Sequence, residues 1–390
     1  FNSNTLPGID SIYQSTDGNP TVLNFNTTNV PAINQLVDIF TEAHYRANTG
    51  TTTVGTSKSY DKIFVENGAD VVFTGTPSVT TSFTVDLGSS ATIGTLSTRW
   101  LSVADGGTAT INGKITTPKL IGLVSSNVGT PANTFGAIQF IGAGDIVLGP
   151  NSTVEYSSIS ITTTQNITPR TDYVNMIISG VGASKTLAAG TSLTGSLTMN
   201  TTGATGLILT APLTLNGPLN LIGGKINTDA TNILTLGTTV TLTGGNNSSY
   251  VSGPVKRNTN STSAVIFPTG KGGWYRPVTI TPSGSQGSSY QAEFFNTAYT
   301  STTVTAPLLF IDTTYWNVSK VGGSNASVGL SLDGVNSVPN ATAAHELVVA
   351  NFKVNSWDNV SATPINPGTA TSGTAYSTVL PTSFVPFTLA

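Results

Sequence analysis

The sequence predicts an all-β chain: a parallel β-helix, or β-solenoid, with a short N-terminal capping helix and a C-terminal antiparallel β-sandwich. Three observations predict it. Glycine-centred phrases recur at nearly fixed intervals, helical periodicity is confined to one segment, and aromatic residues concentrate after position 250. We expect residues 1–50 to form the N-terminal segment and helix, 51–248 the solenoid and 249–390 the sandwich.

Whole phrases recur in the first half of the chain. "VENGADVVFTG", "VDLGSSATIGT" and "VADGGTATING" align on Gly68, Gly88 and Gly106, which are 20 and 18 positions apart. Periods of roughly 20 residues with a small residue at the corner are typical of stacked coils. Because a coil buries its apolar side only against its neighbours, the repeat predicts parallel backbone ladders between coils.

A second phrase, "LTLNGPLNLIGGKI" (Leu213–Ile226), is echoed by "LTLGTTVTLTGG" (Leu234–Gly245). A sandwich also gives short strands cut by glycine, but recurrence of the phrase itself favours a coil. The pattern predicts corners at the two Gly-containing breaks, Gly217-Pro218 and Gly223-Gly224. It also predicts inward-pointing leucines: Leu213, Leu215, Leu219 and Leu221.

The two ends of the solenoid are expected to be capped. Helical spacing of apolar residues occurs over Pro31–Ala47, which predicts a helix packed on the first coil. His44 and Arg46 near its end are interpreted as complementing the helix dipole rather than as catalytic residues. Beyond residue 249, short strands rich in aromatic residues recur about every ten positions, which is typical of an antiparallel sandwich. Such a domain would cover the open edge of the last coil.

Composition excludes several classes of function. Charged residues make up 8% of the chain and the net charge is −3, so the basic face that a nucleic-acid-binding protein needs is missing. Cysteine is absent, which excludes disulfides and thiolate metal sites. No apolar run reaches the roughly 18 residues of a membrane span. A surface of Thr, Ser and Asn with little charge predicts an extracellular protein.

One region resembles a known group of proteins. "ILTLGTTVTLTGGNNSSYVSGPVKR" (Ile233–Arg257) and "FPTGKGGWYRPVTI" (Phe267–Ile280) are similar to segments of large secreted surface proteins of Bacteroidetes-type bacteria. The resemblance extends over about residues 170–390, as "YWNVSKV", "HELVVANF" and "FVPFTLA" follow in the same order. It implies export through the type nine secretion route, and members include adhesins, filament components and repeat proteins. It also implies a terminal secretion domain, which we expect to have been removed after Ala390 unless the chain is a fragment.

Few residues are candidates for chemistry. Glu66 and Asp86 share one offset in adjacent repeats, so their carboxylates are expected about 5 Å apart, and with Asp105 they would line a groove if the protein acted on polysaccharides. The alternative is an exposed pair on the outer face, which we favour. The two histidines, His44 and His345, fall in different predicted elements. We therefore predict no catalytic residue, no cofactor and no metal site.

Two surface features are candidates for glycans. Trp274, Tyr275 and Trp316 would form a sugar-stacking platform if exposed, although aromatic residues of a sandwich more often lie in its core. Nearby, "GKGG" is interpreted as a turn rather than a phosphate loop, with Arg276 able to cover Trp274. "Asp10-Ser11-Ile12" and "Asp312-Thr313-Thr314" resemble bacterial O-glycosylation sites, which makes Ser11 and Thr313 candidate acceptors.

Two functions are consistent with these features. The first is a non-enzymatic extracellular structural or adhesive surface protein, which associates with itself or with other surface proteins and glycans and could be the subunit of a filament or sheath. The second is a carbohydrate-binding or carbohydrate-active protein, similar to a polysaccharide lyase or hydrolase, on the same scaffold. An exposed aromatic platform or a groove lined by acids would favour the second.

Overall fold

A computed structural model of the chain shows an all-β protein that contains a parallel β-solenoid of about 8 turns. The chain divides into two compact units, Phe1–Thr205 (unit 1) and Gly206–Ala390 (unit 2). The described residues contain no helix. They are 22–25, 39–46, 51–54, 59–93, 100–125, 136–140, 143–202, 206–332, 347–363, 373–377 and 386–390.

Unit 1 consists of short strands joined by tight turns. The strands are β1 (Val22–Phe25), β2 (Ile39–Arg46), β3 (Thr51–Val54), β4 (Ser59–Glu66), β5 (Asp70–Phe73), β6 (Ser78–Val85), β7 (Ser90–Ile93), β8 (Leu101–Val103), β9 (Gly107–Ile111), β10 (Lys114–Thr117), β11 (Val124–Ser125), β12 (Ile138–Phe140), β13 (Gly144–Leu148), β14 (Thr153–Tyr156), β15 (Gln165–Asn166), β16 (Asn175–Val181), β17 (Lys185–Leu187) and β18 (Leu197–Thr202).

Parallel ladders join successive coils of unit 1. One sheet runs β1-β2-β4-β6, after which β8 and β9 both pair with β6, and β12 and β13 follow. A second sheet runs β3-β5-β7-β10-β14-β16-β18. Successive side chains of a strand point to opposite faces of its sheet, so about every second residue of a coil is buried. The core residues include Ile63, Val65, Val71, Phe73 and Val85.

The predicted repeat is correct for two coils and wrong for the third. Val65 pairs with Val85, 20 positions later. Val103, however, pairs with Val79, and Val85 pairs instead with Ile111. Val103 and Ile111 of the third coil are eight positions apart, whereas their partners Val79 and Val85 in the second coil are six positions apart. The two extra residues belong to a turn, with Gly106 at φ +75°, that separates β8 from β9. An insertion inside a coil preserves the glycine phrase but shifts its register.

The predicted N-terminal capping helix is wrong. Residues 39–46 form strand β2, which pairs in parallel with β1 and β4. Ala43 and Tyr45 are buried while Glu42, His44 and Arg46 face outward, which is the period of two of a strand. Two neighbouring strands satisfy its backbone groups, and this outweighs a helical spacing of apolar residues. Residues 31–38 and 47 of the predicted helix lie outside the described residues.

Two lysines point into the interior of unit 1. Lys119 and Lys185 are each 1% exposed, and burial lowers the pKa of each to about 8. The Nζ of Lys185 donates to the carbonyl of Ser158 at 3.2 Å, whereas that of Lys119 has no hydrogen-bond partner among the described residues. Between them lies Gln165, whose Nε2 donates to the carbonyl of Lys119 at 2.9 Å. This interior column is polar, in contrast to the apolar core around Ile63, Val71 and Phe73.

Unit 2 begins with parallel strands and continues with antiparallel ones. The strands are β19 (Leu207–Leu209), β20 (Leu213–Leu215), β21 (Leu219–Gly223), β22 (Ile226–Asn227), β23 (Leu234–Leu236), β24 (Leu242–Gly244), β25 (Val251–Ser252), β26 (Val255–Thr259), β27 (Val265–Phe267), β28 (Gly270–Lys271), β29 (Trp274–Tyr275), β30 (Val278–Pro282), β31 (Ser288–Phe295), β32 (Tyr315–Gly322), β33 (Ala326–Leu332), β34 (Val349–Lys353), β35 (Ser356–Asn359), β36 (Ser361–Thr363), β37 (Gly373–Ser377) and β38 (Phe387–Leu389).

The parallel part of unit 2 confirms the coil predicted for "LTLNGPLNLIGGKI". Its parallel pairs are β20-β23-β26, β21-β24 and β19-β22-β25. The four predicted inward leucines, Leu213, Leu215, Leu219 and Leu221, are 0–2% exposed. Gly217-Pro218 separates β20 from β21, and Gly224, at φ +83°, separates β21 from β22. Both predicted breaks are therefore corners.

Strand β26 is where unit 2 changes from parallel to antiparallel pairing. It pairs in parallel with β23 and antiparallel with β31. One antiparallel sheet continues β31-β32-β38-β34-β35 and another runs β27-β30-β33-β37-β36. Alternate residues of β30 and β31 are buried. These sheets support the predicted C-terminal sandwich in part.

Candidate functional site

The structure separates the three aromatic residues of the predicted platform. Trp316 is 0% exposed, and its Nε1 donates to the carbonyl of Arg276 at 3.0 Å. Its ring packs against Phe294 with a centroid distance of 5.1 Å. Trp316 therefore lies in the core and presents no face on which a sugar could stack.

Trp274 and Tyr275 lie on the β28-β29 hairpin. Its two-residue turn, Gly272-Gly273, has positive φ at both positions, which confirms the predicted turn in "GKGG". The Arg276 guanidinium covers the Trp274 ring at 5.2 Å from its centroid, as predicted. The Tyr275 ring packs against the backbone of Gly245, where a β-carbon would stand 2.6 Å from the ring. Burial raises the pKa of the Tyr275 hydroxyl. Both rings are half-buried.

A larger aromatic cluster, which the sequence did not single out, lies on unit 2. It consists of Phe295, Tyr299, Tyr315, Phe352 and Trp357. Phe295 and Tyr315 stack with centroids 4.6 Å apart, and Tyr299 meets the Tyr315 ring edge-on at 5.1 Å. The Lys271 Nζ lies 4.9 Å above the Phe295 ring. Because these rings pack on one another, their faces are poorly available for stacking on a sugar, and the cluster holds its strands and loops together instead. The sequence signal for this cluster is the alternation of side chains along the strand "YWNV": when Trp316 points into the core, Tyr315 points outward.

The acidic residues of unit 1 are brought together only in part. The amide of Asp86 donates to the carbonyl of Val65 at 2.8 Å, so Glu66 and Asp86 lie in adjacent coils, as predicted. The carboxylate of Glu66 is bound by Arg46 and, at 3.0 Å, by Nδ1 of His44. Asp105 accepts from the amide of Ala143 at 2.6 Å and lies at another turn. The three carboxylates do not line one groove.

A different groove lies at the turns of four successive coils. It has a volume of about 470 Å³ and is lined by Asn67, Asp86, Leu87, Asn112, Pro150 and Asn151. Backbone pairing places these turns side by side, because Val65, Val85, Ile111 and Leu148 are aligned in register. We call this the corner groove. Its lining is one carboxylate, three amides and two apolar side chains.

The polar groups of the corner groove are available to a ligand. Among the described residues, the side chains of Asn67, Asp86, Asn112 and Asn151 make no hydrogen bond or ion pair with protein atoms. Leu87 is 65% exposed and gives the groove an apolar surface. Sequence reasoning identified Asp86 but missed the asparagines. Their signal was a polar residue directly after each strand: Asn67 after β4, Asp86 after β6 and Asn112 after β9.

The remaining candidate residues fall outside the groove. Thr313 is exposed, and Asp312 beside it is 2% exposed and accepts from the Thr314 hydroxyl at 2.6 Å. Ser11 and His345 lie outside the described residues. In the part of the chain that is described, no group of three or more His, Cys, Asp or Glu side chains could hold a metal ion. No helix in that part is long and apolar enough to cross a membrane.

The chain was compared with protein-family models, with curated proteins and with solved structures, and none of the three comparisons gives a match.

Proposed function

We propose that this chain is an extracellular structural and adhesive protein that acts without catalysis and associates with itself or with other surface proteins and glycans. Its proposed setting is the one implied by the resemblance over residues 170–390: a secreted surface protein of a Bacteroidetes-type cell, exported by the type nine route. Within that setting it would serve as a subunit of a filament or sheath.

The observation that carries this proposal is the cross-linking of successive coils by side chains as well as by backbone. On the outer faces of unit 1, Ser78 donates to the Ser59 hydroxyl at 2.9 Å and Thr51 to the Asp70 carboxylate at 2.7 Å. Asp70 also accepts from Ser90 in the next coil. Each such bond has a net value of only about 1 kcal/mol. Repeated along a stack, the bonds make a stiff element suited to bearing load.

Low charge supports the self-association part of the proposal. Only 8% of residues are charged, and several of these are paired across coils, such as Lys62 with Glu42 at 2.9 Å and Lys114 with Glu155. Surfaces of hydroxyl and amide groups can approach one another without the repulsion that a large net charge would cause.

Assembly and catalysis are separate readouts of this proposal. Electron microscopy of the purified chain at rising concentration should show ordered assemblies. Incubation with a panel of polysaccharides should release no reducing ends and no unsaturated products. A chain that stays monomeric throughout would contradict the structural role, and product release would contradict the non-catalytic one.

A second candidate function, carbohydrate binding, is favoured by the corner groove. A lyase or hydrolase activity has less support. Arg46 and His44 bind the carboxylate of Glu66, and the carboxylate of Asp105 lies at a separate turn. A binding role is compatible with the adhesive function, since a surface protein can attach through a glycan.

A further inference from the structure

We propose that the corner groove of unit 1 is a binding site for a neutral oligosaccharide. This inference rests on the adhesive part of the proposed function and deepens it, since it names the site and the chemical class of the ligand. It places the glycan contact on the turns of the coils and not on the aromatic residues of unit 2.

Coil stacking creates the groove. Asp86 and Asn112 follow strands β6 and β9 directly, and the Asn112 amide donates to the carbonyl of Val85 at 2.8 Å. Adjacent parallel strands lie about 4.8 Å apart, so the turns present polar side chains in a row at that spacing. Gly149 makes room for this row, because a β-carbon there would stand 2.2 Å from Oδ1 of Asn112.

The amides indicate hydroxyl groups as ligands. Each asparagine side chain offers two N–H donors and a carbonyl acceptor, and a sugar hydroxyl can donate and accept at once. Since the side chains of Asn67, Asn112 and Asn151 have no hydrogen-bond partner in the part of the chain that the structure describes, a ligand there would replace water. Leu87 and Pro150 supply apolar surface for the C–H faces of a sugar ring. The volume of about 470 Å³ lies within the range of roughly 300–1,000 Å³ usual for ligand sites.

The charge of the lining indicates a neutral ligand. Asp86 is the one charged residue among the six and would repel uronate and sulfate groups. The cationic residue in the same row, Arg46, is bound to Glu66 and is therefore neutralised. The two oxygens of Asp86 can accept from neighbouring hydroxyls of one sugar. A neutral oligosaccharide can hydrogen-bond to the amides and to the Asp86 carboxylate without bringing a second negative charge beside it.

A calcium site is a poorer fit to the same residues. Protein Ca²⁺ sites use six to eight oxygen ligands, usually with several carboxylates, whereas this lining holds one. Binding that rests on hydroxyl recognition should persist in the presence of a chelator.

The test uses the whole chain of 390 residues. A fluorescently labelled sample is applied to an array of neutral oligosaccharides of glucose, mannose, galactose and xylose, with oligogalacturonate and sulfated galactan as acidic probes. The best neutral probe is then titrated by calorimetry with and without EDTA. Asn112→Ala/Asn151→Ala removes two amides and leaves Asn67, whose φ of 55° asparagine adopts better than alanine, while Asp86→Asn removes the charge but keeps the shape. Asn200→Ala and Asp145→Asn are matched controls, since both residues are exposed on other surfaces of unit 1.

We expect wild type to bind neutral probes and not acidic ones, with no effect of EDTA. The double alanine variant should lose at least about tenfold in affinity, because each lost hydrogen bond weakens binding about fivefold and two are removed. Asp86→Asn should admit the acidic probes, and both controls should bind like wild type. Absence of binding to every neutral probe, binding abolished by EDTA, or full affinity in the double variant would each overturn the proposal. Assembly seen by electron microscopy is independent of this outcome, so the structural role can stand if the groove fails.

Discussion

Gly113 lies directly against the turn of the preceding coil: a β-carbon at position 113 would stand 2.3 Å from the carbonyl oxygens of both Asp86 and Ser89. The approach is tight because the amide of Lys114, the next residue, donates to the Ser89 carbonyl at 2.9 Å. The same contact sets the position of Asn112 beside Asp86 in the corner groove.

Replacing Gly113 with alanine should destabilise the protein. The added methyl group would collide with backbone atoms that cannot turn away, and such overpacking costs about 1–3 kcal/mol. Urea denaturation followed by circular dichroism gives the free energy of unfolding. Gly88 is the comparison, because it has φ +82° and no atom within 4 Å of its would-be β-carbon. At position 88 asparagine should be tolerated better than alanine, since asparagine adopts positive φ more readily. At position 113 it should be tolerated worse than alanine, because its larger side chain meets the same backbone atoms. Equal effects of asparagine at both positions would contradict the packing account.

Replacing the buried Lys119 with methionine should stabilise the protein at pH 7. Methionine keeps most of the volume, can still pack on the Trp100 ring that lies 5.5 Å from the Lys119 Nζ, and removes an amine that has no hydrogen-bond partner among the described residues. The expected gain in free energy of unfolding is about 1–3 kcal/mol. Lys185→Met should gain less, because it also removes the hydrogen bond to Ser158. Lys320→Met, at an exposed position, is the control and should change stability by less than about 0.5 kcal/mol.

The same two lysines predict how stability depends on pH. Folding lowers their pKa from the usual 10.5 to about 8, so between these values the unfolded chain binds more protons than the folded one. The free energy of unfolding should therefore rise from about pH 8 towards pH 10 and be insensitive to these groups below pH 8. Above pH 10 it should fall, because burial raises the pKa of Tyr156 to about 12. Thermal melts across this range should lose the rise in the Lys119→Met/Lys185→Met variant. A rise that persists in that variant would show that other groups cause it.

Replacing Lys114 with methionine should lower stability at neutral pH and weaken the loss of stability in acid. Burial acts to raise the pKa of Glu155, but hydrogen bonds from Lys114 and Ser179 outweigh it, and the pKa is lowered overall. A carboxyl group whose pKa is lowered by folding stabilises the fold at pH values above its usual pKa. This stabilisation is lost as pH falls through the pKa of the folded state. Without Lys114 this stabilisation is smaller, because the lysine no longer offsets the burial of Glu155. The variant should therefore be less stable than wild type at pH 7 and should lose less stability as pH falls. Urea denaturation at several pH values from about 7 down to about 3 checks this, with Lys320→Met as the control that should match wild type. A variant that loses as much stability as wild type over this range would contradict the role of Lys114.

Trp316 and Trp274 should differ sharply on replacement by alanine. Trp316 is fully buried, so its truncation should cost about 3–5 kcal/mol. Trp274 is half-buried on a hairpin and should cost far less. Urea denaturation of the two variants measures the loss in free energy of unfolding and shows which tryptophan contributes to the core. Similar losses for both would place Trp274 in the core as well.

The sequence was most informative where one pattern dominated. Leu213, Leu215, Leu219 and Leu221 alternate with polar residues between two glycine breaks, and each points inward. The pairing of Val65 with Val85 follows from an uninterrupted period of 20. In both cases the apolar side of a coil can be buried in only one register.

Two failures have identifiable physical causes. Phe40 and its neighbours fit a helical spacing, yet residues 39–46 are a strand because β1 and β4 offer hydrogen bonds on both sides. Val103 was misaligned because its coil contains an inserted turn. The corner groove was missed for a third reason. Asn67 and Asn112 are ordinary turn residues by themselves, and only the coil register brings them together.

Sedimentation velocity over a wide concentration series, combined with electron microscopy of the same samples, tests the proposed structural role most directly. We predict a concentration-dependent shift to large species that appear as ordered assemblies, with no loss of β-sheet circular dichroism. A single monomeric species at every concentration, with dispersed particles on the grid, would contradict it.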